Sequence, residues 1–233
     1  MRPCDINAVA IRLLRVLSNY QIRSPGASLE SVRPTVVVDT NSIARTDWRL
    51  ESATWRLMLA FARNGQIRLL VPEVVIIECL GTYRRAHEVI RRDLSKLRTK
   101  FDIDSICVEY EQHLRSTLVD AGAEIDAEPP IDLLSLVARA AMRKLPFNES
   151  GNGFRDSIIW MHALACSRAS GPTVLITSDG DFLDKSNGQT QLHSQLSEEA
   201  EGEVEWYPNI SACLLYTSPS PRDATLSRMP SSA

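Results

Sequence analysis

The chain contains short apolar runs that are typical of buried strands. Residues 35–38, 67–71 and 172–177 are continuous runs rich in β-branched or aliphatic residues, and they end at an aspartate, a proline and a serine. A shorter run at residues 203–208 predicts a last short strand. Four strands of this kind predict a sheet whose interior strands are buried on both faces.

Between these runs lie segments whose apolar residues have helical spacing. They cover residues 51–64, 72 to about 100, and 154–169, with further helical stretches between 102 and 147. Because strands alternate with helices, the pattern predicts an α/β fold, a three-layer α/β/α sandwich around a mostly parallel sheet. We assign residues 34–210 to this domain, with a helical insertion at about 82–147, and residues 1–33 to an N-terminal helix and linker.

Composition and charge narrow the class of protein. The 233 residues are 44% hydrophobic and 24% charged, which is typical of a globular domain. The net charge of -3 provides no overall basic field, so contact with nucleic acid would need a local basic patch. The five cysteines form no C-x-x-C pair, and no apolar run is long enough to span a bilayer. We therefore expect a cytoplasmic protein that does not contact a membrane.

The last residues differ in character from the rest of the chain. Residues 213–233 are rich in Ser, Pro and Thr and have no periodicity, which predicts a disordered tail. The segments CLLYTSPSPRD and SRMPSSA also resemble the translation of a transposase-type sequencing-library adapter. Our hypothesis is that the native reading frame breaks off near Ala212. A longer sequencing read in which native codons continue as CLLYTSPSPRD would refute it.

Acidic residues follow the predicted strands at the same end of the sheet. Asp39 ends the first strand, and Asp179 and Asp181 follow the third run. Glu78 lies in the second turn of the helix after the second strand, within the apolar sequence VVIIECL, and Asp156 lies at the start of its helix. Since sites in open parallel sheets form beyond the carboxyl ends of the strands, we expect these carboxylates to converge.

Convergence of this kind requires a counter-charge. Two carboxylates about 4 Å apart repel by roughly 4 kcal/mol at an effective dielectric of 20, and a domain is stable by only about 5–15 kcal/mol in total. Hard oxygen ligands without His or Cys favour Mg²⁺ or Mn²⁺ over zinc. The sequence therefore predicts a site for one or two of these ions.

The ordered set of acidic motifs resembles a known family. VVVDTNS, the glutamate of VPEVVIIECL, the aspartate of GFRDSIIW and the TSDGDF loop are similar to the four motifs of PIN-domain nucleases. The PFNESGNGFRDSIIW block and the long insertion resemble most a PIN-like branch of unknown function. The resemblance spans about residues 34–207, and Ser178 departs from it because the family often has Asn there.

The resemblance implies an activity and roles for the residues. It implies a metal-dependent endoribonuclease, toxin-like as in the VapC group, in which Mg²⁺ or Mn²⁺ is bound by Asp39, Glu78, Asp156 and Asp179, with Asp181 as an auxiliary ligand. Asn41, Ser42 and Ser178 would orient these ligands without binding the metal themselves. As partners we expect RNA, with an antitoxin protein and a second copy of the chain as further candidates.

A basic surface is expected near the carboxylates, because they would repel the RNA backbone. Candidate residues for it follow Glu78 or lie near the third motif; they are Arg84, Arg85, Arg91, Arg92, Lys96, Arg98, Lys100, Arg139, Arg143, Lys144 and Arg155. The same run is also compatible with a solvated helix face whose cations pair with Glu88 and Asp93.

Simpler interpretations remain open. Asp39 could cap a turn, Asp156 could stabilise its helix through the helix dipole, and Asp179 and Asp181 could build a turn with Gly180. Two other functions also remain, a catalytically inactive PIN relative that binds RNA or protein, and a receiver-type phosphoacceptor domain. The receiver alternative needs a lysine after a late strand, for which Lys185 is a poor candidate, and it gives Glu78 no role.

Overall fold

A computed structural model of the chain describes residues 33–45, 47–96, 102–126, 132–148, 150–184 and 190–216. The predicted N-terminal helix and linker lie outside these residues. Arg98 and Lys100 of the predicted basic surface, Lys185, and the sequence from residue 217 onward lie outside them as well.

The centre of the fold is a five-stranded sheet in which every neighbouring pair of strands is parallel. Its strands are β1 (Thr35–Val38), β2 (Arg68–Pro72), β3 (Glu124–Asp126), β4 (Thr173–Ile176) and β7 (Val204–Tyr207), in the spatial order β3-β2-β1-β4-β7. In the register, Val36 lies between Leu69 on one side and Val174 on the other. The carboxyl ends of all five strands therefore meet at one edge, as the sequence predicts.

Helices flank this sheet and complete the predicted three-layer α/β/α fold. They are α1 (Thr40–Ala44), α2 (Ala53–Arg63), α3 (Glu73–Lys96), α4 (Ile103–Asp120), α5 (Leu133–Ala141), α6 (Phe154–Ser170), α7 (Ser194–Glu199) and α8 (Ile210–Tyr216). A 3₁₀ turn (Gly180–Phe182) leads into a small antiparallel pair, β5 (Leu183–Asp184) and β6 (Gln191–Leu192). Within the ranges described, no helix is both long and apolar enough to cross a bilayer.

The hydrophobic core lies between the sheet and its helices. Val37, Val38 and Leu69 of the sheet are fully buried, and so are Trp55 of α2 and Trp160 of α6. Burying each large apolar side chain stabilises the fold by roughly 1.5–3 kcal/mol. Because the strands are buried on both faces, their sequences read as continuous apolar runs without alternation.

The insertion is fastened to the core by ion pairs. Arg115 of α4 binds Glu73 at the start of α3 with both terminal nitrogens, one of them at 2.9 Å. Arg139 of α5 is buried and binds Glu199 at 2.7 Å, and Lys144 reaches the same carboxylate at 2.7 Å. Glu199 therefore pairs with both cations and holds the insertion to the core, and the role of Arg139 and Lys144 in steering RNA stays a prediction.

Two elements differ from the predicted boundaries. Strand β3 lies inside the insertion, where only helices are predicted, because a three-residue edge strand with the polar sequence EID has no recognisable apolar pattern. The predicted disorder from residue 213 also begins too early. Cys213 and Leu214 are buried in α8, since they extend the apolar face that begins at Ile210.

Candidate active site

Asp39 lies at the carboxyl end of β1 and is almost completely buried, with 2% of its surface exposed. One carboxylate oxygen accepts a hydrogen bond from the Thr40 backbone N–H at 2.6 Å. The other accepts from the Thr177 hydroxyl at 2.8 Å and from the Asn41 side-chain amide at 3.1 Å. Asp39 therefore caps α1, as the simpler interpretation proposes, and is also held by a residue from the neighbouring strand β4.

These hydrogen bonds do not fully compensate for burial. Burial, with smaller contributions from the negative charges of Glu78 and Asp179, raises the pKa of Asp39 to about 6, against the lowering effect of the hydrogen bonds from Thr177 and Thr40. An exposed aspartate that only capped a helix would have an ordinary or lowered pKa. The raised pKa shows that burial outweighs the hydrogen bonds, and that Glu78 and Asp179 are near enough to add to it.

Glu78 projects from the second turn of α3 toward the same edge. One of its oxygens accepts a hydrogen bond from the Thr40 hydroxyl at 2.8 Å, which links α3 to the end of β1. The other oxygen forms an ion pair with the guanidinium of Arg155 at 2.5 Å. Its side chain is 18% exposed, so both oxygens of a mostly buried carboxylate have partners.

Asp156 lies in the first turn of α6, one residue after Arg155. Burial raises its pKa to about 7, and repulsion from Asp179, Asp39, Glu78 and Asp181 adds to the effect. Four other carboxylates are thus close enough to act on this one side chain. The helix N-terminus would lower the pKa of a first-turn carboxylate, so burial and then the repulsion from the other carboxylates outweigh the dipole at Asp156.

The loop after β4 supplies the last two carboxylates. Asp179 caps the 3₁₀ turn by accepting a hydrogen bond from the Asp181 backbone N–H at 3.0 Å, as the turn interpretation predicts. Its own N–H donates to the Thr177 hydroxyl at 3.0 Å. Asp181 accepts a hydrogen bond at 3.0 Å from Asn148, which belongs to the loop that leads into α6.

The structure therefore brings Asp39, Glu78, Asp156, Asp179 and Asp181 to one edge of one sheet. Their oxygens are the hard ligands that Mg²⁺ and Mn²⁺ prefer. Burial is the main cause of the raised pKa values of Asp39 and Asp156, and repulsion among the carboxylates adds to it. The donor chemistry fits such an ion. The spacing of the side chains fits a bound ion less well, because in the described part of the chain no three acidic, His or Cys side chains are grouped closely enough to hold a metal ion.

Comparison with known proteins adds a family assignment. A sequence profile described as a PIN domain matches residues 36–182, which is more than half of the chain. The chain belongs to the PIN-domain family. This membership confirms the family resemblance, implies a nuclease-type fold in general, and decides against the receiver-type alternative. No curated protein and no solved structure gives a significant match.

The supporting residues of this PIN domain are only partly those predicted. Asn41 contacts Asp39 as expected, whereas the Ser42 hydroxyl donates to the Ile176 carbonyl at 3.3 Å. Ser178 is exposed and, within the described chain, forms no hydrogen bond. Its expected role belongs instead to Thr177, one residue earlier. The buried-face position of Thr177 in the run 172–177 is the signal that could have identified it.

Thr40 is the second supporting residue that sequence reasoning missed. It stands between Asp39 and Asn41, and its hydroxyl is the contact between the first and second acidic motifs. A threonine after a strand is usually interpreted as a turn residue, so its sequence position alone carried no signal for this role.

The basic residues after Glu78 mostly form a solvated helix face. Arg84 is paired with Asp104 of α4, Arg85 donates to the Thr82 hydroxyl at 2.9 Å, and Lys96 pairs with Asp93 at 2.7 Å. Arg91, Arg92 and Arg143 are exposed. Arg155, in contrast, contacts the carboxylate cluster through Glu78.

Proposed function

We propose that this PIN domain is a divalent-metal-dependent ribonuclease that hydrolyses RNA phosphodiester bonds. The observation that carries the proposal is the position of Asp156, whose carboxyl group is influenced by four other carboxylates from three separate segments of the chain. A group of acids that repel one another destabilises the fold unless cations offset the repulsion. Because this group lies where the strands of a parallel sheet end, which is the usual place for an active site, we attribute a function to it.

Asp39, Glu78, Asp156 and Asp179 are the residues that would hold Mg²⁺ or Mn²⁺, with Asp181 as an auxiliary. When bound, such ions lower the pKa of a water molecule, hold a phosphodiester for in-line attack and neutralise the leaving oxygen. Both oxygens of Glu78 are engaged by Thr40 and Arg155 at hydrogen-bond distance.

The remaining site residues fix the carboxylates in place. Thr177 receives the Asp179 N–H and donates to Asp39, so it joins the first and fourth acidic motifs through one hydroxyl. Asn148 holds Asp181, and its side-chain oxygen also accepts from the backbone N–H groups of Ser150 and Asn152. These contacts orient the carboxylates on rigid elements, which is the requirement for ligands that must meet one ion.

We propose RNA and not DNA as the substrate because the acidic motifs resemble those of VapC-type nucleases. The same likeness is the basis for a toxin role with an antitoxin partner. Growth arrest on expression of the wild type, but not of Asp156→Asn, would support the toxin role, and unimpaired growth in both cases would count against it. A second copy of the chain remains a candidate partner.

The direct test is cleavage of mixed single-stranded and structured RNA by the purified full chain in Mn²⁺. Wild type should cleave, Asp39→Asn and Asp156→Asn should lose about 100-fold or more in rate, and EDTA should abolish cleavage. Asp120→Asn is the matched control, because Asp120 is exposed at the end of α4. The same oligonucleotides as DNA test the sugar preference.

Three outcomes would contradict the proposal. Equal cleavage by all four proteins would identify a contaminating nuclease. RNA binding without cleavage would favour a catalytically inactive PIN relative. Preferential cleavage of the DNA strands would leave a nuclease but remove RNA as its substrate.

A further inference from the structure

Arg155 holds an unusual position for a surface cation. It is the second residue of α6, directly before Asp156, and its guanidinium contacts Glu78 of α3 at 2.5 Å. The Arg155 side chain is 54% exposed whereas Glu78 is 18% exposed, so a partly solvated guanidinium pairs with a mostly buried carboxylate. In the part of the chain that the structure describes, this is the single ion pair that links α3 to α6.

The ion pair places a positive charge on one of the predicted metal ligands. The other oxygen of Glu78 accepts a hydrogen bond from the Thr40 hydroxyl at 2.8 Å. Thr40 is a neutral donor at the start of α1, so its contact is compatible with a metal ion nearby. The guanidinium of Arg155 carries the same sign of charge as the metal ion and repels it, so Arg155 is the partner that a cation would displace.

We infer that Arg155 and the divalent cation exchange at Glu78. Arg155 serves as an internal counter-ion that partly offsets the repulsion of the carboxylates, and the arriving cation replaces it. The released guanidinium, still beside Asp156, then faces the RNA, where its planar fork can bind a backbone phosphate with two hydrogen bonds. The first half of this inference concerns metal binding alone, whereas the phosphate contact rests on the proposed function.

An exchange of this kind explains why the Arg155 guanidinium pairs with a carboxylate that is a predicted ligand for a metal ion. A permanently bound arginine would neutralise Glu78 and oppose metal binding by like-charge repulsion. An arginine that is displaced stabilises the fold before the metal binds and remains beside the site to attract the negatively charged substrate afterwards.

The test is isothermal titration calorimetry of Mn²⁺ into the full-length wild type, Arg155→Gln, Arg155→Lys and the control Arg168→Gln. Arg168 is exposed in the last turn of the same helix, so its variant removes the same charge far from Glu78. If Arg155 competes with the metal, Arg155→Gln should bind Mn²⁺ about three- to tenfold more tightly than wild type, while Arg155→Lys and Arg168→Gln should stay within about twofold of it. Equal affinity of Arg155→Gln and Arg168→Gln, or weaker binding by Arg155→Gln, would overturn the exchange.

Thermal denaturation supplies a second measurement that does not depend on activity. In EDTA, Arg155→Gln should melt below wild type because the cluster has lost its counter-ion, and the difference should vanish in saturating Mn²⁺. A variant that melts above wild type in EDTA would contradict the counter-ion role.

RNA kinetics then separate this inference from the proposed function. Arg155→Gln should raise KM for RNA severalfold with kcat little changed, since the lost contact is to the substrate backbone. An unchanged KM would overturn the phosphate contact. If the calorimetry agrees but no variant cleaves RNA, the exchange stands and the ribonuclease proposal fails; if wild type cleaves but Arg155→Gln binds Mn²⁺ like wild type, the reverse holds.

Discussion

Thr177 shows how a single hydroxyl organises the site at the scale of one residue. It is completely buried at the end of β4, donates to Asp39 and accepts from the Asp179 backbone N–H. Two of the predicted metal ligands therefore depend on one oxygen atom. Its carbonyl is held in turn by the Trp206 indole of β7 at 2.8 Å, so the position of Thr177 is fixed on both sides.

Replacing Thr177 by the isosteric valine should be costly. Thr177→Val removes one of the two hydrogen bonds to an Asp39 oxygen and leaves the Asp179 N–H without its side-chain partner. A buried group left unsatisfied costs about 1–3 kcal/mol. The expected result at about pH 8 is a melting temperature lower by at least about 2–4 °C and weaker Mn²⁺ binding in calorimetry. Thr177→Ser keeps the hydroxyl and should restore most of both. If valine were tolerated as well as serine, the hydroxyl would have no role in holding the site.

At the scale of an element, the start of α6 determines where Asp156 and Arg155 lie. The helix begins after Gly153, whose φ of 111° is a conformation that residues with a Cβ rarely adopt. A Cβ at this position would overlap the Pro146 carbonyl oxygen and come within 2.9 Å of the Phe147 Cα, both of them backbone atoms that cannot move aside easily. The loop and the helix are thus packed backbone against backbone.

Gly153→Ala should therefore disturb both stability and the site. Gly151 provides the matched control, because it also has a positive φ, of 79°, but has open space where a Cβ would be. We expect Gly151→Ala to cost about 1 kcal/mol from backbone strain alone, and Gly153→Ala to cost at least twice that through the added clash. Chemical denaturation measures both, and equal losses would mean that the backbone contact at Pro146 is not restrictive.

The parts of the fold that follow from local pattern were predictable at this scale. β1, β2 and β4 are continuous apolar runs, and α6 has clear helical spacing, so their existence and order follow from the sequence. The edge strand β3 was not predictable because its pairing with β2 is decided by the neighbouring backbone and not by its own three residues. The buried end of α8 was missed because a Ser- and Pro-rich composition obscured the short apolar stretch around Cys213.

The candidate site was predictable to a similar degree and for related reasons. Parallel strands impose a common edge, so five carboxylates could be assigned to it without coordinates. The contacts of Thr177, Thr40 and Arg155 depend on distances between segments remote in sequence, and hydroxyl or guanidinium groups have many alternative partners. Burial of Arg139 against Glu199 shows the same limit, since nothing local distinguishes a paired arginine from a solvated one.

At the scale of the whole molecule, the carboxylate cluster should make stability depend on pH in an unusual direction. The folded-state pKa values of Asp39 and Asp156, about 6 and about 7, lie above the ordinary value of 3.8. Between these limits the folded protein binds more protons than the unfolded chain, so the free energy of unfolding falls as the pH rises. This contribution is complete below about pH 4 and is lost as the pH passes through about 6 and 7.

Other titratable groups affect stability in other pH ranges, or contribute equally to the two proteins being compared. The pKa of Glu199 is lowered to about 2 by its hydrogen bonds to Arg139, Lys144 and Trp160 despite burial, so the stability it provides is lost only in stronger acid. Burial lowers the pKa of His162 below the ordinary value of 6.5, so in the pH range just below that value its contribution to stability rises with pH. Because His162 is present in both proteins, its effect cancels when a variant lacking one cluster carboxylate is compared with wild type.

The central claim is that the clustered carboxylates need a divalent cation. The most direct test compares the melting temperatures of wild type and Asp156→Asn between about pH 5 and about pH 8, once in EDTA and once in saturating Mn²⁺. In EDTA at about pH 8 the variant should melt higher, by roughly 2–4 °C for each kcal/mol of repulsion removed, and the two proteins should converge at about pH 5. Mn²⁺ should stabilise wild type at about pH 8 and have little effect on the variant. A variant that melts at or below wild type in EDTA, together with equal stabilisation of both proteins by Mn²⁺, would contradict the account.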